Sequence, residues 1–354
     1  RLLFIARTLA RHDALFFLDN FERLPFYVVL LRKIMPVFAL GATRSKDLRD
    51  GERLANALRE LGPSFIKLGQ ALSVRADLIG EEMVLDLGNL RDRLPPFPFE
   101  KARETVEYEL EAPLEELFAD FNPEPVAAAS IAQVHFATVR ETVPAPTEAD
   151  PGATEEILRE VAVKILRPGV ESAFESDLQL FFWLAELAER YQPHFRRLRL
   201  TKIVETMADS VELEMDLRME ASAASEMAEN FADDPEVDVP EIDWQRTARR
   251  VMTQSRIDGI SISKKEELAA AGHDLKALGD NVIRVFLHQV LRDGFFHADM
   301  HHGNLFVTAD GRLVAVDFGI MGRMSRETRL FMAEMLHAFL TRDYKRAAEI
   351  HFEA

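Results

Sequence analysis

Apolar positions recur three and four residues apart over residues 46–60 (KDLRDGERLANALRE), which predicts an amphipathic helix, and Gly62-Pro63 end it. A second helix is predicted from Ser64, a good cap, through FIKLGQALSV. Residues 81–92 and 99–118 read as further helices, separated by the proline-rich LPPFPF. From Pro125 the pattern becomes that of a tight loop feeding a strand, VAAASIAQVHFATVR, with Val134, Phe136 and Val139 available for burial. An acidic, proline-containing connector over 141–157 leads to a short apolar strand, EVAVKIL, closed by Arg167-Pro168-Gly169. Helices are predicted across 171–232, with a buried stripe of Phe174, Leu178, Phe181, Leu184 and Leu187. Strands are expected at 236–242 and 249–254, with a turn at Asp258-Gly259. A helix over 275–292 precedes the loop GFFHADMHHGN. Two short strands, LFV and RLVAV, meet at the turn Asp310-Gly311, and a last helical stretch follows Asp317-Phe318-Gly319.

Composition narrows the function classes. The 354 residues carry 43 Lys+Arg against 60 Asp+Glu, a net charge of −17, and this acidity argues against nucleic acid as a partner. At 47% apolar the chain can bury a large core. Cysteine is absent, which removes disulfides, thiol nucleophiles and Cys-ligated zinc together. No run of about 18 uncharged apolar residues occurs; the best attempt, 24–42, is broken by Arg32-Lys33 and carries Pro25 and Pro36. Arg7, Arg11, His12 and Asp13 interrupt any signal-peptide core. A start at Arg1 and a helical pattern still running at HFEA lead us to expect a fragment of a longer chain. Residues 1–60 hold a net charge of +4 and carry Phe16, Phe17, Phe21, Phe26 and Tyr27. Such a basic, aromatic-rich stretch suits either the headgroup region of a membrane or a helix docked on the rest of the protein.

The strongest chemical signal lies near the C-terminal end. Asp299 in His297-Ala298-Asp299 is followed five residues later by Asn304 and eighteen residues later by Asp317 of Asp317-Phe318-Gly319. Phosphoryl transfer from ATP needs a carboxylate to orient the nucleophile and oxygen ligands for Mg²⁺, and this is the spacing of a kinase catalytic loop and its DFG element. Asn304 and Asp317 flank the hairpin 305–316, so both can converge on one ion. Two rival readings stand beside it: a zinc or iron pair formed by His297 and His301 at helical spacing, and plain turn aspartates.

Lys164 in VAVKILRPG has the form of the kinase lysine strand, where it would contact the α- and β-phosphates; a snorkelling lysine is the ordinary alternative. Its carboxylate partner is sought in ELEMDLRMEA, which offers Glu214, Asp216 and Glu220. Asp216 and Glu220 share a helical face, whereas Glu214 and Asp216 point nearly opposite ways unless the helix bends or starts there. No G-x-G-x-x-G precedes the lysine strand; Ala127-Ala128-Ala129-Ser130 stands in its place, with methyl groups that restrict the backbone. Lys67 and Gln70, three apart, read as the wet side of an amphipathic helix.

Together these residues resemble the UbiB family of atypical kinase-like proteins. Lys67 and Gln70 match its KxGQ helix, Ala127 to Ser130 its alanine-rich loop, Lys164 its lysine strand, Glu214 and Asp216 its ExD carboxylates, and Glu220 its helix glutamate. Asp299, Asn304 and Asp317 match its HAD…N and DFG elements. The resemblance runs from about residue 45 to the end, and HADMHHGN and SIAQVH are most similar to the proteobacterial members. It departs at His302, Ala76 and Gly80, where the family has prolines, and at the hinge QSRIDG, which lacks the usual Met-Glu pair.

The resemblance implies an α+β, bilobal protein-kinase-like fold whose KxGQ extension lies over the active site, with the C-terminal part truncated. The segments expected are 1–45, a basic amphipathic stretch; 46–120, the KxGQ extension; 121–255, an N-lobe with a helical insertion; and 256–354, an incomplete C-lobe. It implies a Mg²⁺-dependent ATP- and ADP-binding protein, an ATPase or atypical kinase supporting ubiquinone synthesis. In this reading Asp299, Lys164 and Glu220 are catalytic, and Lys164 pairs with Glu220. Ala127, Ala128, Ala129, Ser130 and Lys164 bind nucleotide; Asn304, Asp317, Glu214 and Asp216 hold the metal; Lys67 and Gln70 regulate. Implied partners are polyprenyl-quinone precursors or another lipid, an anionic membrane surface and other ubiquinone-biosynthesis proteins. The implied location is the cytoplasmic face of a bacterial inner membrane, with transmembrane helices beyond residue 354. A nucleotide-switched lipid scaffold without catalysis and a small-molecule kinase are the alternatives. The family's older hydroxylase label finds no flavin fingerprint or iron ligand set here.

Overall fold

The computed structural model describes residues 1–16, 48–73, 75–88, 90, 94–144, 154–191, 196–300 and 302–353. Most of the basic N-terminal stretch, including Phe17, Phe21, Phe26 and Tyr27, therefore lies outside the described residues, as does His301. The described chain forms two compact units. One gathers residues 1–105, 123–135 and 165–215, and the other 106–122, 136–164 and 216–354.

The first unit is mainly helical. Helices Asp50–Leu61 and Pro63–Ser73 are separated by Gly62, whose φ of 107° is open to glycine alone, and proline then takes the first helical position. Helix Glu81–Leu87 and the long helix Val170–Tyr191 pack with them, as does helix Leu200–Glu214. Their shared core contains Leu58, Leu61, Phe65, Leu87, Phe174, Phe181, Met207 and Val211, and the rings of Phe65 and Phe181 meet edge to face at 4.9 Å. The buried stripe of helix Val170–Tyr191 is Val170, Phe174, Asp177, Phe181 and Ala185. Of the stripe expected from sequence, Phe174 and Phe181 are buried and Leu178 packs against the core, whereas Leu184 is exposed; Asp177 joins the buried face by accepting from Arg1.

The second unit is built on sheets. One follows the order 120–121, 136–144, 154–164, 251–255, with Val139, Val161, Val163 and Val251 buried. Strands Ala132–Pro144 and Thr154–Leu166 extend into the segment expected as a connector, so 141–144 and 154–157 are strand. The expected strand at 236–242 shrinks to Val237–Asp238 plus an isolated bridge from Ile242 to Gln254, and Asp258-Gly259 takes no turn. A second sheet orders Val237–Asp238, Leu313–Ala315, Leu305–Val307 and Ile260–Ser261, and it contains the expected hairpin with Gly311 at φ 87°. Helix Leu275–Leu287 passes into a π-helical turn, His288–Asp293. The stretch expected as loop from Gly294 begins with strand Phe295–His297, paired antiparallel with Met321–Arg323. Helices Arg326–Leu340 and Tyr344–Glu353 complete the unit. Among the described residues no helix is long and apolar enough to cross a membrane.

Candidate nucleotide-binding site

The site of the second unit starts from the lysine strand. Period-two alternation buries Val161 and Val163 completely, leaving Lys164 to point to the opposite face of the strand. Helix Leu200–Glu214 ends at Met215, and Asp216 opens a new helix, Leu217–Asn230, by accepting from the Arg218 N–H at 3.1 Å. That break puts Glu220 in the first turn of the new helix, with only 7% of its side chain exposed. The Lys164 ammonium donates to Glu220 Oε1 at 2.7 Å, to Glu220 Oε2 at 2.8 Å and to Asp317 Oδ1 at 3.0 Å.

Electrostatics separates the two carboxylates. Burial pushes Glu220 up to about 7, against the pull of the Lys164 charge and with the Asp317 charge adding to the rise. The Lys164 charge brings Asp317 down to about 2 despite burial, so Asp317 is ionised at neutral pH. Burial alone lowers the Lys164 pKa, but Asp317 and Glu220 more than reverse it and the ammonium stays charged.

A second set of bonds fixes the loop around Asp299. His297, 1% exposed, accepts from the Asp299 N–H on Nδ1 at 3.1 Å, so its ring proton sits on Nε2, which faces the Val316 carbonyl at 3.4 Å. Its own N–H donates to Gln289 Oε1 at 2.9 Å, and its ring lies 5.7 Å from that of buried Phe318. Asn304 donates from Nδ2 to the Asp299 carbonyl at 3.3 Å, while the Val316 N–H donates to the Asn304 carbonyl at 2.9 Å. Asn304 and Asp317 are thereby held at the open end of one hairpin. Asp317 adopts a left-handed backbone, φ 66°, a strained conformation of the kind held at functional sites.

His297 is spent on these bonds and lies in a strand, which removes it from the helical metal pair read as a rival. Among the described residues no three or more His, Cys, Asp or Glu side chains are grouped to hold a metal. The carboxylate of Asp216 is taken up by the start of its helix and by Arg218, whose Nε and Nη2 donate to it at 2.9 and 2.6 Å.

In the first unit, Lys67 donates to Glu214 across 2.8–2.9 Å, with both side chains largely out of water, so it is not on a wet face. Gln70 is half-buried on the same helix. A Cβ at Gly69, between them, would fall 2.5 Å from Leu90 Cδ1 and 2.7 Å from Leu58 Cδ1, so this helix needs a glycine there to pack. The alanine-rich loop is a tight hairpin: Ala127 and Ala128 pair with Val134 and Gln133, and the Ala129 N–H donates to the Ala132 carbonyl at 2.8 Å. Ser130 at its tip is 1% exposed, and its hydroxyl is without a hydrogen-bond partner among the described residues.

Two residues that support these elements escape a reading of the sequence. Gln289 positions His297 from the π-helical turn, and Arg167 donates to the Ala129 carbonyl from the end of the lysine strand. No signal in the sequence singles out Gln289, which stands among other polar residues in HQVLRD, and Arg167 reads only as strand closure.

A lysine strand paired to a helix glutamate, with an Asp-x-x-x-x-Asn loop and a DFG aspartate closing on the same lysine, defines a kinase-like class of protein. The sequence comparisons carry this further: residues 89–351 match the ABC1 atypical kinase-like domain, and the chain belongs to that family. It is similar to the "Probable protein kinase UbiB" of Marinobacter nauticus, 41% identical over 87% of this chain and 54% of the relative. The protein of the same description in Pseudomonas paraeruginosa is 37% identical over 100% of this chain and 64% of its own length. The chain thus spans between 54% and 64% of the length of these curated relatives. Among solved structures it is similar to Rv3197 of Mycobacterium tuberculosis in complex with erythromycin. That match has a TM-score of 0.55 and 24% identity, covering 93% of this chain and 75% of the other, and it is a likeness of fold.

Proposed function

We propose that this protein binds ATP and ADP with Mg²⁺ and acts as an ATPase or an atypical kinase in support of ubiquinone biosynthesis. The observation that carries the reading is the shared hold of Glu220 and Asp317 on Lys164. This ammonium is fixed and charged, as an α- and β-phosphate contact must be. Asp299, whose backbone is tied on both sides by His297 and Asn304, would orient the attacking group. Asn304 and Asp317 suit Mg²⁺: one amide whose nitrogen is already used and one carboxylate that stays ionised, with substrate phosphates completing the shell. Bound there, Mg²⁺ would offset charge on the phosphate oxygens. Nucleotide binding by the alanine-rich hairpin, Ala127 to Ser130, rests on the family resemblance. Glu214, engaged by Lys67, and Asp216, engaged by Arg218, carry no comparable support as metal ligands.

The test is thermal stabilisation by ATP or ADP, with and without Mg²⁺, on the protein and on Asp317→Asn. A nucleotide at 100 times its Kd adds about 2.7 kcal/mol to the folded state. A Mg²⁺-dependent shift that Asp317→Asn loses supports the reading; folded protein that no nucleotide stabilises would overturn it.

The ubiquinone role and the lipid partners rest on the family resemblance. A position on the anionic cytoplasmic face of a bacterial inner membrane is supported by the net charge of +4 over residues 1–60. It is also supported by helix Leu2–Arg11, which exposes Leu2, Leu3 and Phe4 alongside Arg7. Deletion of residues 1–45 is expected to reduce pelleting with anionic liposomes and its salt sensitivity.

A further inference from the structure

The alanine-rich hairpin is held from behind by one guanidinium. Arg167 donates to the Ala129 carbonyl from Nε at 3.0 Å and from Nη2 at 2.8 Å. The same Nη2 reaches the carbonyls of Pro95 at 2.9 Å and Leu94 at 3.4 Å, and the guanidinium lies 5.6 Å from the centre of the Phe97 ring. Among the described residues it has no carboxylate partner; its acceptors are backbone carbonyls. Its own N–H donates to the Ile131 carbonyl at 2.8 Å, so backbone and side chain grip the hairpin on both sides of Ser130. The proline-rich segment is held a second time at its far end. Gln133 accepts from the Phe97 N–H at 2.9 Å and donates to the Phe97 carbonyl at 3.3 Å. Pro95 and Pro96 stiffen the segment between these two anchors.

A trans peptide points its C=O and N–H in opposite directions, so fixing the Ala129 carbonyl on Arg167 fixes where the Ser130 N–H points. An arginine here offers two donors in a rigid fork; neither lysine nor glutamine can hold one carbonyl with both while also reaching a second segment.

We propose that Arg167 is a positioning residue: by clamping the Ala129 peptide to the Leu94–Phe97 segment, it sets how the alanine-rich hairpin receives nucleotide phosphates and hence the preference between ATP and ADP. This rests on the nucleotide-binding reading above.

The test uses the whole chain with Arg167→Gln and Arg167→Lys. Two readouts are taken: Kd for ATP and for ADP by calorimetry, and amide hydrogen exchange over residues 94–100 and 126–133. Arg167→Gln is expected to change the ratio of the two Kd values by about tenfold, the size of losing one or two charge-assisted hydrogen bonds. Exchange should quicken in both segments together. Arg167→Lys, which keeps the charge and one donor nitrogen but not the planar fork, should restore part of the ratio, and it serves alone where the glutamine variant does not fold. Equal weakening of both nucleotides, with the ratio preserved, would reduce Arg167 to a structural residue and overturn the proposal. Should the unaltered protein bind neither nucleotide, the functional reading falls on its own. The clamp is then judged by exchange, and unchanged exchange in both segments overturns it.

Discussion

Glu220 and Asp317 share one cation, the Lys164 ammonium, yet their carboxyl groups titrate near about 7 and about 2. The difference is one of setting. Glu220 lies in the first turn of a packed helix, where burial outweighs the pull of the Lys164 charge, whereas at Asp317, at the end of a hairpin, the Lys164 charge outweighs burial. Lys164 therefore forms a firm ion pair with Asp317 and, near neutral pH, a variable one with Glu220.

The pH dependence of stability follows with a definite sign. Glu220 rises from 4.5 in the unfolded chain to about 7 in the folded one, so the folded state holds a proton that the unfolded state has released. Its contribution is full below pH 4.5 and is lost as the pH climbs through about 7. Asp317 acts in the opposite sense: its contribution is present above 3.8 and is lost as the pH falls towards about 2. Urea midpoints measured at intervals from pH 4.5 to 7.5 are expected to decline less steeply in Glu220→Gln than in the unaltered protein. An identical slope in both would assign the decline to another group.

Replacing the cation tests the same group from the other side. Lys164→Met leaves Glu220 and Asp317 facing each other without compensation, and Glu220 is expected to remain protonated at neutral pH. That escape limits the loss of stability to about 1–3 kcal/mol, below the cost of stranding a fully buried charge. Nucleotide-dependent stabilisation should disappear. Retention of a full ATP shift in Lys164→Met would show that the phosphates are bound elsewhere.

The glycine of the KxGQ segment has a counterpart that makes its role measurable. Gly69→Ala places a methyl group against Leu58 and Leu90, an overpacking that costs about 1–3 kcal/mol and outweighs the gain in helix propensity. Gly279, exposed on helix Leu275–Leu287, has nothing within 4 Å of an added Cβ, so Gly279→Ala should stabilise by about 0.5–1 kcal/mol. Opposite shifts in the urea midpoint are expected. A stabilising Gly69→Ala would mean that Leu58 and Leu90 repack freely around the added methyl.

Where sequence reading succeeded and where it stopped can be traced to single residues. The strand hairpin at 305–316 was legible because its alternation is short-range and its turn carries Gly311. The choice of Glu220 over Glu214 and Asp216 came with the family resemblance and not from helical periodicity, because it depends on a break at Met215 that no proline or glycine announces; Asp216 makes it by capping the next helix. The stripe of helix Val170–Tyr191 was legible at Phe174 and Phe181, but not the buried Asp177 beside them, because that carboxylate is held inside by an ion pair with Arg1, far away in sequence. The connector over 141–157 read as loop from its acid and proline content, yet its ends continue two strands, since sheet pairing overrides local propensity.

His297 offers the last test, because its bonds reach both the loop of Asp299 and the chain just before Asp317. His297→Leu preserves volume but removes the acceptor for the Asp299 N–H and the donor to Val316. The exposed Asp299 N–H can turn to water, so the loss of stability should stay near about 1–3 kcal/mol rather than abolish folding. Function should suffer more than stability. With Asp299 released from the chain that precedes Asp317, the two carboxylates no longer hold a fixed relation, and misplacement by about 1 Å is enough to cost roughly 10²-fold in rate. The expected outcome is a folded variant that retains nucleotide binding with a smaller Mg²⁺-dependent shift and turns over far more slowly. Since Nδ1 accepts from the Asp299 N–H and Nε2 faces the Val316 carbonyl, His297→Gln, which can donate at one end and accept at the other, should recover part of the rate. Full turnover in His297→Leu would show that the loop around Asp299 is held without this imidazole.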